Sequence, residues 1–361
     1  MKALLMLEDG KTFSGYAFGS DSERIGKVIL NTAVVGYQEM LTDPANAGKL
    51  LALTYPLIGN YGTAKKFNES KKVWASGLII KESSRIYSNW QAESSFEAFA
   101  KENGLFVLCG IDTRTLAVHV RQKGEMLGIL SVGCPQAKEL SAKLDAFRSK
   151  TADTAMPQIS VEKSMQLSKG KPRCKKIAVL DVGVTQSMLR QLERLGFCLT
   201  VLPYNTKPSD IIALKLHGLI ISGGPEEDPG LAVAVDTARG LIGKIPIMGI
   251  GAGHQVLCRA LGAKITRLKL GHRGVNYPVH NPGSQKGEIT VQNHGLVVDA
   301  ETLNKIKSVK ITGYNLNDHS VEEMESKSLR LLGVQYEPVC PGFDEVNPAF
   351  IKFEKLMERS N

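Results

Sequence analysis

From Lys175 onward the chain alternates short unbroken apolar runs with amphipathic helical stretches, and this alternation restricts its fold more than any other feature. Ile177–Val182 (IAVLDV), Cys198–Pro203, Gly218–Ser222 and Ile245–Ile250 read as strands. Gln186–Leu195, Ser209–Leu216, Ala232–Leu241 and Gln255–Leu261 read as the helices that follow them. Runs that are apolar throughout suit strands buried on both faces. Their β-α repetition predicts a parallel sheet covered by helices on both sides. Ligands of such sheets bind beyond the carboxyl ends of the strands. The loops after Asp181, Ser222 and Ile250 therefore share one edge.

The first half is built differently. Lys27–Leu30, Leu50–Leu53, Trp74–Ile80 and Leu105–Cys109 are β-like runs separated by Gly, Pro and Asp turns. Two helical patterns intervene, Ser94–Glu102 and Thr113–Lys123. Asp112 is placed to cap the second helix and Gly124 to end it. The polar stretch 151–174, with Pro157 and Pro172, reads as a linker. The expected organisation is an α/β protein. A mixed β/α domain occupies 1–150, and an open, mostly parallel sheet domain occupies 175–361.

At 361 residues, two cores are the natural expectation. No apolar run approaches a membrane span. The opening MKALLMLEDG is interrupted by Glu8 and Asp9 too early for a signal peptide and reads as a strand and turn, so the expected location is cytoplasmic. The six cysteines (Cys109, Cys134, Cys174, Cys198, Cys258 and Cys340) show no CxxC pair and are expected to be free thiols, with no metal site. The net charge of +9 comes from local clusters at Lys65-Lys66, Lys71-Lys72 and Lys169–Lys176. No nucleic-acid motif accompanies them, so solvated surface is the expectation and an acidic protein partner the second reading.

The chemistry concentrates in Gly249-Ile250-Gly251-Ala252-Gly253-His254-Gln255. A strand runs through flanking glycines straight into a helix, the layout of a nucleophile elbow. The residue at the corner sits at a helix N-terminus, where backbone N–H groups stabilise an anion. Ser222-Gly223-Gly224-Pro225 and Gln292-Asn293-His294-Gly295 are the loops positioned to complete such a site.

These residues resemble a class I glutamine amidotransferase, whose elbow reads G-x-C-x-G-x-Q and whose base histidine lies in a later H-P-E segment. The first half resembles the N-terminal domain of carbamoyl-phosphate synthetase small subunits. That likeness is carried, in order, by Asn31-Thr32, Gly36–Glu39 (GYQE), Leu41–Pro44 (LTDP), Leu53–Pro56 (LTYP), Ile58–Gly62 (IGNYG) and Asp112–Arg114 (DTR). It extends from about Lys2 to Met357. The resemblance implies docking on a large, ATP-using synthetase subunit that makes carbamoyl phosphate for arginine and pyrimidine synthesis. It implies no cofactor in this chain.

The resemblance also exposes what is missing. Gly251 stands where the family carries its cysteine. Aligned on Pro338, Glu337 stands for the histidine and Val339 for the glutamate that orients it. Glycine offers no thiolate. Cys258 lies seven residues further on, roughly 10 Å along a helix. The resemblance places Gly223, Gly224, Gln255, Asn293 and Gly295 at glutamine contacts. Ala47, Ala252 and Leu296 replace a serine, a leucine and an aromatic. Glu226 and Glu227 interrupt the family's G-P-G loop and are expected to repel an anion there. His254, His272 and His294 are read as structural. The leading expectation is a non-hydrolysing subunit that supports an ammonia-using partner. The alternatives are an active glutamine-hydrolysing subunit and a stand-alone ligand-binding scaffold that keeps residual glutamine binding.

Overall fold

The computed structural model describes residues 1–133, 135–150, 153–168, 174–283, 287–342 and 345–358. Cys134 and the basic run Lys169–Arg173 lie outside them. The chain forms two compact units. The first comprises Met1–Ala152 and Lys269–Arg273, the second Asp153–Leu268 and Gly274–Asn361.

The strands of the first unit are β1 (Lys2–Leu7), β2 (Thr12–Gly19), β3 (Arg24–Asn31), β4 (Lys49–Leu53), β5 (Leu57–Ile58), β6 (Gly77–Ile79), β7 (Glu82–Ser83), β8 (Phe106–Cys109) and β9 (Met126–Val132). β5 and β7 pair with each other, and the other seven close a barrel in the order β1-β2-β8-β6-β4-β3-β9. Successive side chains on a strand point to opposite faces, and here both faces are buried. Val28, Leu30, Leu50, Ala52, Phe106 and Leu108 fill one cluster. Ile29, Leu51, Leu53 and Val107 fill another, against Tyr37, Phe96 and Phe99. This two-sided burial is why these runs read as continuously apolar. The strand expected over Trp74–Ile80 is confined to Gly77–Ile79. The two expected helices form as Phe96–Glu102 and Thr113–Lys123. The Asp112 carboxylate accepts the Thr115 N–H at 3.0 Å. A further helix, Ala137–Ser149, lays Leu140 and Leu144 on Ile129.

Within this unit the segment Lys269–Arg273 is tied to Glu125. Arg273 is fully buried, and its Nε donates to Glu125 Oε1 at 3.1 Å. The Gly271 N–H donates to the same oxygen at 3.1 Å.

The second unit has one ten-stranded sheet. Its strands are β10 (Met165–Gln166), β11 (Lys176–Asp181), β12 (Cys198–Pro203), β13 (Gly218–Ile221), β14 (Ile247–Ile250), β15 (Ile265–His280), β16 (Gly287–Val298), β17 (Lys310–Asn315), β18 (Val321–Ser326) and β19 (Leu331–Val334). The order is β10-β12-β11-β13-β14-β19-β18-β17-β15-β16. β12, β11, β13, β14 and β19 run parallel and form the α/β part read from the sequence. β18, β17 and β15 extend it antiparallel. Ala178, Leu180, Leu219 and Ile221 pack on helices Leu231–Leu241 and Ala252–Ala260. Ile177, Val179, Ile220 and Met248 pack on helices Gln186–Arg194 and Pro348–Glu358.

The described part of the expected linker is built into this unit. Met156 is fully buried in its core, β10 pairs with β12, and the Val161 N–H donates to Asp181 at 2.9 Å. The expectation of free thiols is corrected at one pair. Cys174 and Cys198 are joined in a disulfide, with their Cα atoms 5.8 Å apart. Cys109, Cys258 and Cys340 are free. Sequence spacing gave no hint of the pair, because they are 24 apart in sequence, with β11 and the helix Gln186–Arg194 in between. Among the described residues no helix is long and apolar enough to cross a membrane.

Candidate functional site

β14 ends at Ile250 and the next helix starts at Ala252, so Gly251 alone makes the corner. Its backbone has φ 53° and ψ −114°, a region costly for any residue with a side chain. The Gly251 N–H donates to the Val334 carbonyl of β19 at 2.9 Å, and the Gly251 carbonyl accepts the Gln255 N–H at 3.2 Å. A Cβ on Gly249 would run into the Gly253 carbonyl, and one on Gly253 into the Ile221 carbonyl. Backbone packing therefore requires both flanking glycines. A Cβ on Gly251 would meet nothing nearer than Gly223 Cα at 3.7 Å and the Gln335 carbonyl oxygen at 3.9 Å. The corner has the shape of a nucleophile elbow, with space but no side chain at its apex.

Around it the structure assembles much of the pocket expected from the sequence. Gly224 packs against the Val182 carbonyl so closely that a Cβ would not fit. Half-buried Gly223 faces the corner, and Ala252 is buried in the first turn of the helix. Buried Gln255 donates its Nε2 to the Leu296 carbonyl at 3.0 Å and to Glu226 Oε2 at 3.1 Å. Gln335 Oε1 lies 3.4 Å from the same nitrogen. Gly295 and half-buried Leu296 sit opposite on β16, with Asn293 half-buried on the same strand. Ala47 belongs to the first unit, half-buried after the short turn Pro44–Asn46.

The two acids expected to repel an anion here are placed differently from each other. Glu227 turns outward to Arg267, 2.7 Å away. Glu226 turns inward, and its carboxylate accepts the Gly295 N–H at 2.6 Å and the Leu296 N–H at 3.0 Å. Its oxygens are thus taken up by backbone donors.

The segment aligned with the family's base continues from β19. Tyr336 is buried, and its hydroxyl donates to Glu323 Oε1 at 2.6 Å. The Glu337 N–H donates to the Val291 carbonyl at 2.9 Å, and the Glu337 side chain is half-buried. The Pro338 carbonyl accepts from Gln191 Nε2 at 2.7 Å, and Val339 is exposed. Cys340 is exposed, its thiol donating to the Glu345 carbonyl at 3.0 Å. No imidazole occurs in this segment.

One thiol and imidazole do meet. Cys258 Sγ lies 3.9 Å from both ring nitrogens of His254, one helical turn away. Their i, i+4 spacing was visible in the sequence. Both are sealed in the core at 0% exposure. Burial pushes the Cys258 thiol far up and drives the His254 imidazole down to about 4. The nearby Glu322 charge opposes the second shift only in part. A neutral imidazole beside a protonated thiol, with no route for substrate, is core packing. His294 Nδ1 lies 3.1 Å from the Leu296 carbonyl, within the same polar layer.

Residues 178–339 match the class I glutamine amidotransferase family, and residues 5–130 match the CPSase domain of the carbamoyl-phosphate synthase small chain. A solved structure of a glutamine amidotransferase from Thermotoga maritima overlaps 52% of this chain and 84% of its own, at 16% identity and a TM-score of 0.37. The carbamoyl phosphate synthase small chain of Listeria innocua is 37% identical, over 99% of this chain and 97% of its own. That of Chlorobaculum tepidum is 39% identical over 361 residues, 99% of this chain and 98% of its own. The chain belongs to the carbamoyl-phosphate synthase small-chain family. The corner Gly249-Ile250-Gly251-Ala252-Gly253 lies inside the matched amidotransferase range. In this chain position 251 carries no sulfur and position 337 no imidazole, and the carboxylate at 226 is directed at Gly295.

Proposed function

We propose that this chain is a small, amidotransferase-type subunit that does not hydrolyse glutamine, and that it docks on and supports a large synthetase subunit using free ammonia. The observation that carries this reading is the bare corner at Gly251. An acyl-enzyme needs a nucleophilic side chain there, and the thiol seven residues away is sealed in the core. Loss of a nucleophile alone lowers turnover by about 10⁴–10⁶-fold. The match of residues 5–130 to the small-chain domain supports retained docking. In this role the chain itself needs no cofactor. The partner consumes the ATP, and carbamoyl phosphate feeds pyrimidine and arginine synthesis in the cytoplasm.

Two measurements test the reading. The purified chain, alone and with a synthetase large subunit, bicarbonate and ATP, is expected to release no glutamate from glutamine. Co-purification with that large subunit at low salt is expected to succeed. Glutamate release above background would refute the first half of the proposal, and failure to associate the second.

A further inference from the structure

Glu226 and Glu227 are adjacent, yet they behave in opposite ways. Glu227 pairs with Arg267 at the surface. Glu226 is only 7% exposed. Burying a carboxylate is costly unless donors replace its water, and here at least three do. The N–H groups of Gly295 and Leu296 donate to its two oxygens at 2.6 and 3.0 Å, and Gln255 Nε2 donates at 3.1 Å. Successive N–H groups of a regular strand point in opposite directions. Two neighbours converging on one carboxylate form a concave anion seat. Buried Gln335 contributes to the same cluster, and its Nε2 has no hydrogen-bond partner among the described residues.

We propose that Glu226 is an internal ligand of these donors, which belong to the positions that the resemblance assigns to glutamine, and that it closes them to free carboxylate ligands. The three donors converge from two elements, β16 and the helix after the elbow, onto the side chain of a third, the loop after β13. Such a seat takes any carboxylate that reaches it, including that of an α-amino acid. In this chain the ligand is tethered, so its effective concentration far exceeds that of a free competitor. The inference goes beyond the lost nucleophile and stands without it. The glutamate-release assay reads position 251, and the experiment below reads position 226.

Acetate and L-glutamate are titrated, by calorimetry and thermal shift, against the full chain and against Glu226→Ala and Glu227→Ala. The wild type and Glu227→Ala are expected to bind neither. Glu226→Ala is expected to bind both saturably, at least about tenfold more tightly than the wild type. Equal binding by wild type and Glu226→Ala, or a folded Glu226→Ala that binds neither, overturns the proposal. Should Glu226→Ala not fold, Glu226→Gln decides. With ¹⁵N-glycine and ¹⁵N-leucine labelling, the Gly295 and Leu296 amide protons are expected far downfield in the wild type, from short charge-assisted bonds. They are expected to move upfield in Glu226→Gln while the Gly10 amide stays in place. Unmoved Gly295 and Leu296 amides refute the internal-ligand assignment.

Discussion

A single position separates the shape of this site from its chemistry. Gly251 holds the left-handed corner without strain, and a Cβ there would meet only ordinary contacts, with Gly223 Cα at 3.7 Å and the Gln335 carbonyl oxygen at 3.9 Å. Gly251→Cys would place a thiol at the apex at a cost of about 1–3 kcal/mol, because a residue with a Cβ is strained at φ 53°. No recovery of hydrolysis is expected. The segment around Glu337 and Val339 carries no imidazole to act as base, and Glu226 occupies the donors at Gly295 and Leu296. Urea denaturation and a glutamate-release assay on this variant check both halves; measurable turnover would show that another group acts as base. The sequence was informative about position 251 because the elbow is a local pattern with both glycines in view. It was misleading about Glu226. The GGPEED loop reads as two equivalent acids beside the site, and the amides that bind Glu226 lie 69 and 70 residues away.

The helix Ala252–Ala260 starts at the corner and is anchored in the core along most of its length. Its inward residues still hold the sheet, with Val256, Leu257 and Cys258 fully buried. His254 is part of that wall, and burial keeps it neutral down to about 4. In the unfolded chain the same imidazole takes up a proton near 6.5. Between those values the unfolded state binds more protons, so stability falls as the pH falls. The contribution is complete above about 6.5 and is lost progressively toward 4, amounting to about 3 kcal/mol. Relative to His254→Phe, the wild type is therefore expected to show a steeper loss of stability across that window. Parallel curves from urea titrations at several pH values would remove His254 from the account. Elements such as this helix, or Thr113–Lys123 with its Asp112 cap and Gly124 stop, were legible because period and caps are local signals. Closure of the barrel was not. It depends on pairings such as β1 with β9, which join Leu5 to Leu130 across most of the first unit.

At the scale of the whole chain, the first unit is discontinuous. Five residues from far along the sequence, Lys269–Arg273, belong to it. Arg273 meets a carboxylate that is 6% exposed at Glu125. Removing one partner of a buried pair leaves the other charge stranded, so Arg273→Ala is expected to cost about 3–5 kcal/mol in urea denaturation. The double change Glu125→Met with Arg273→Met is expected to recover most of that loss, since neither charge then remains. A cost below about 1 kcal/mol for Arg273→Ala would show that Glu125 is satisfied by its other donors, such as the Gly271 N–H. The arrangement also orders events on the ribosome. The last pieces of the first unit are translated only after more than a hundred intervening residues, a delay on the order of ten seconds at about 5–20 residues per second. Throughout that interval water, and not Arg273 or the Gly271 N–H, satisfies the Glu125 carboxylate, so its desolvation waits for the arrival of that segment.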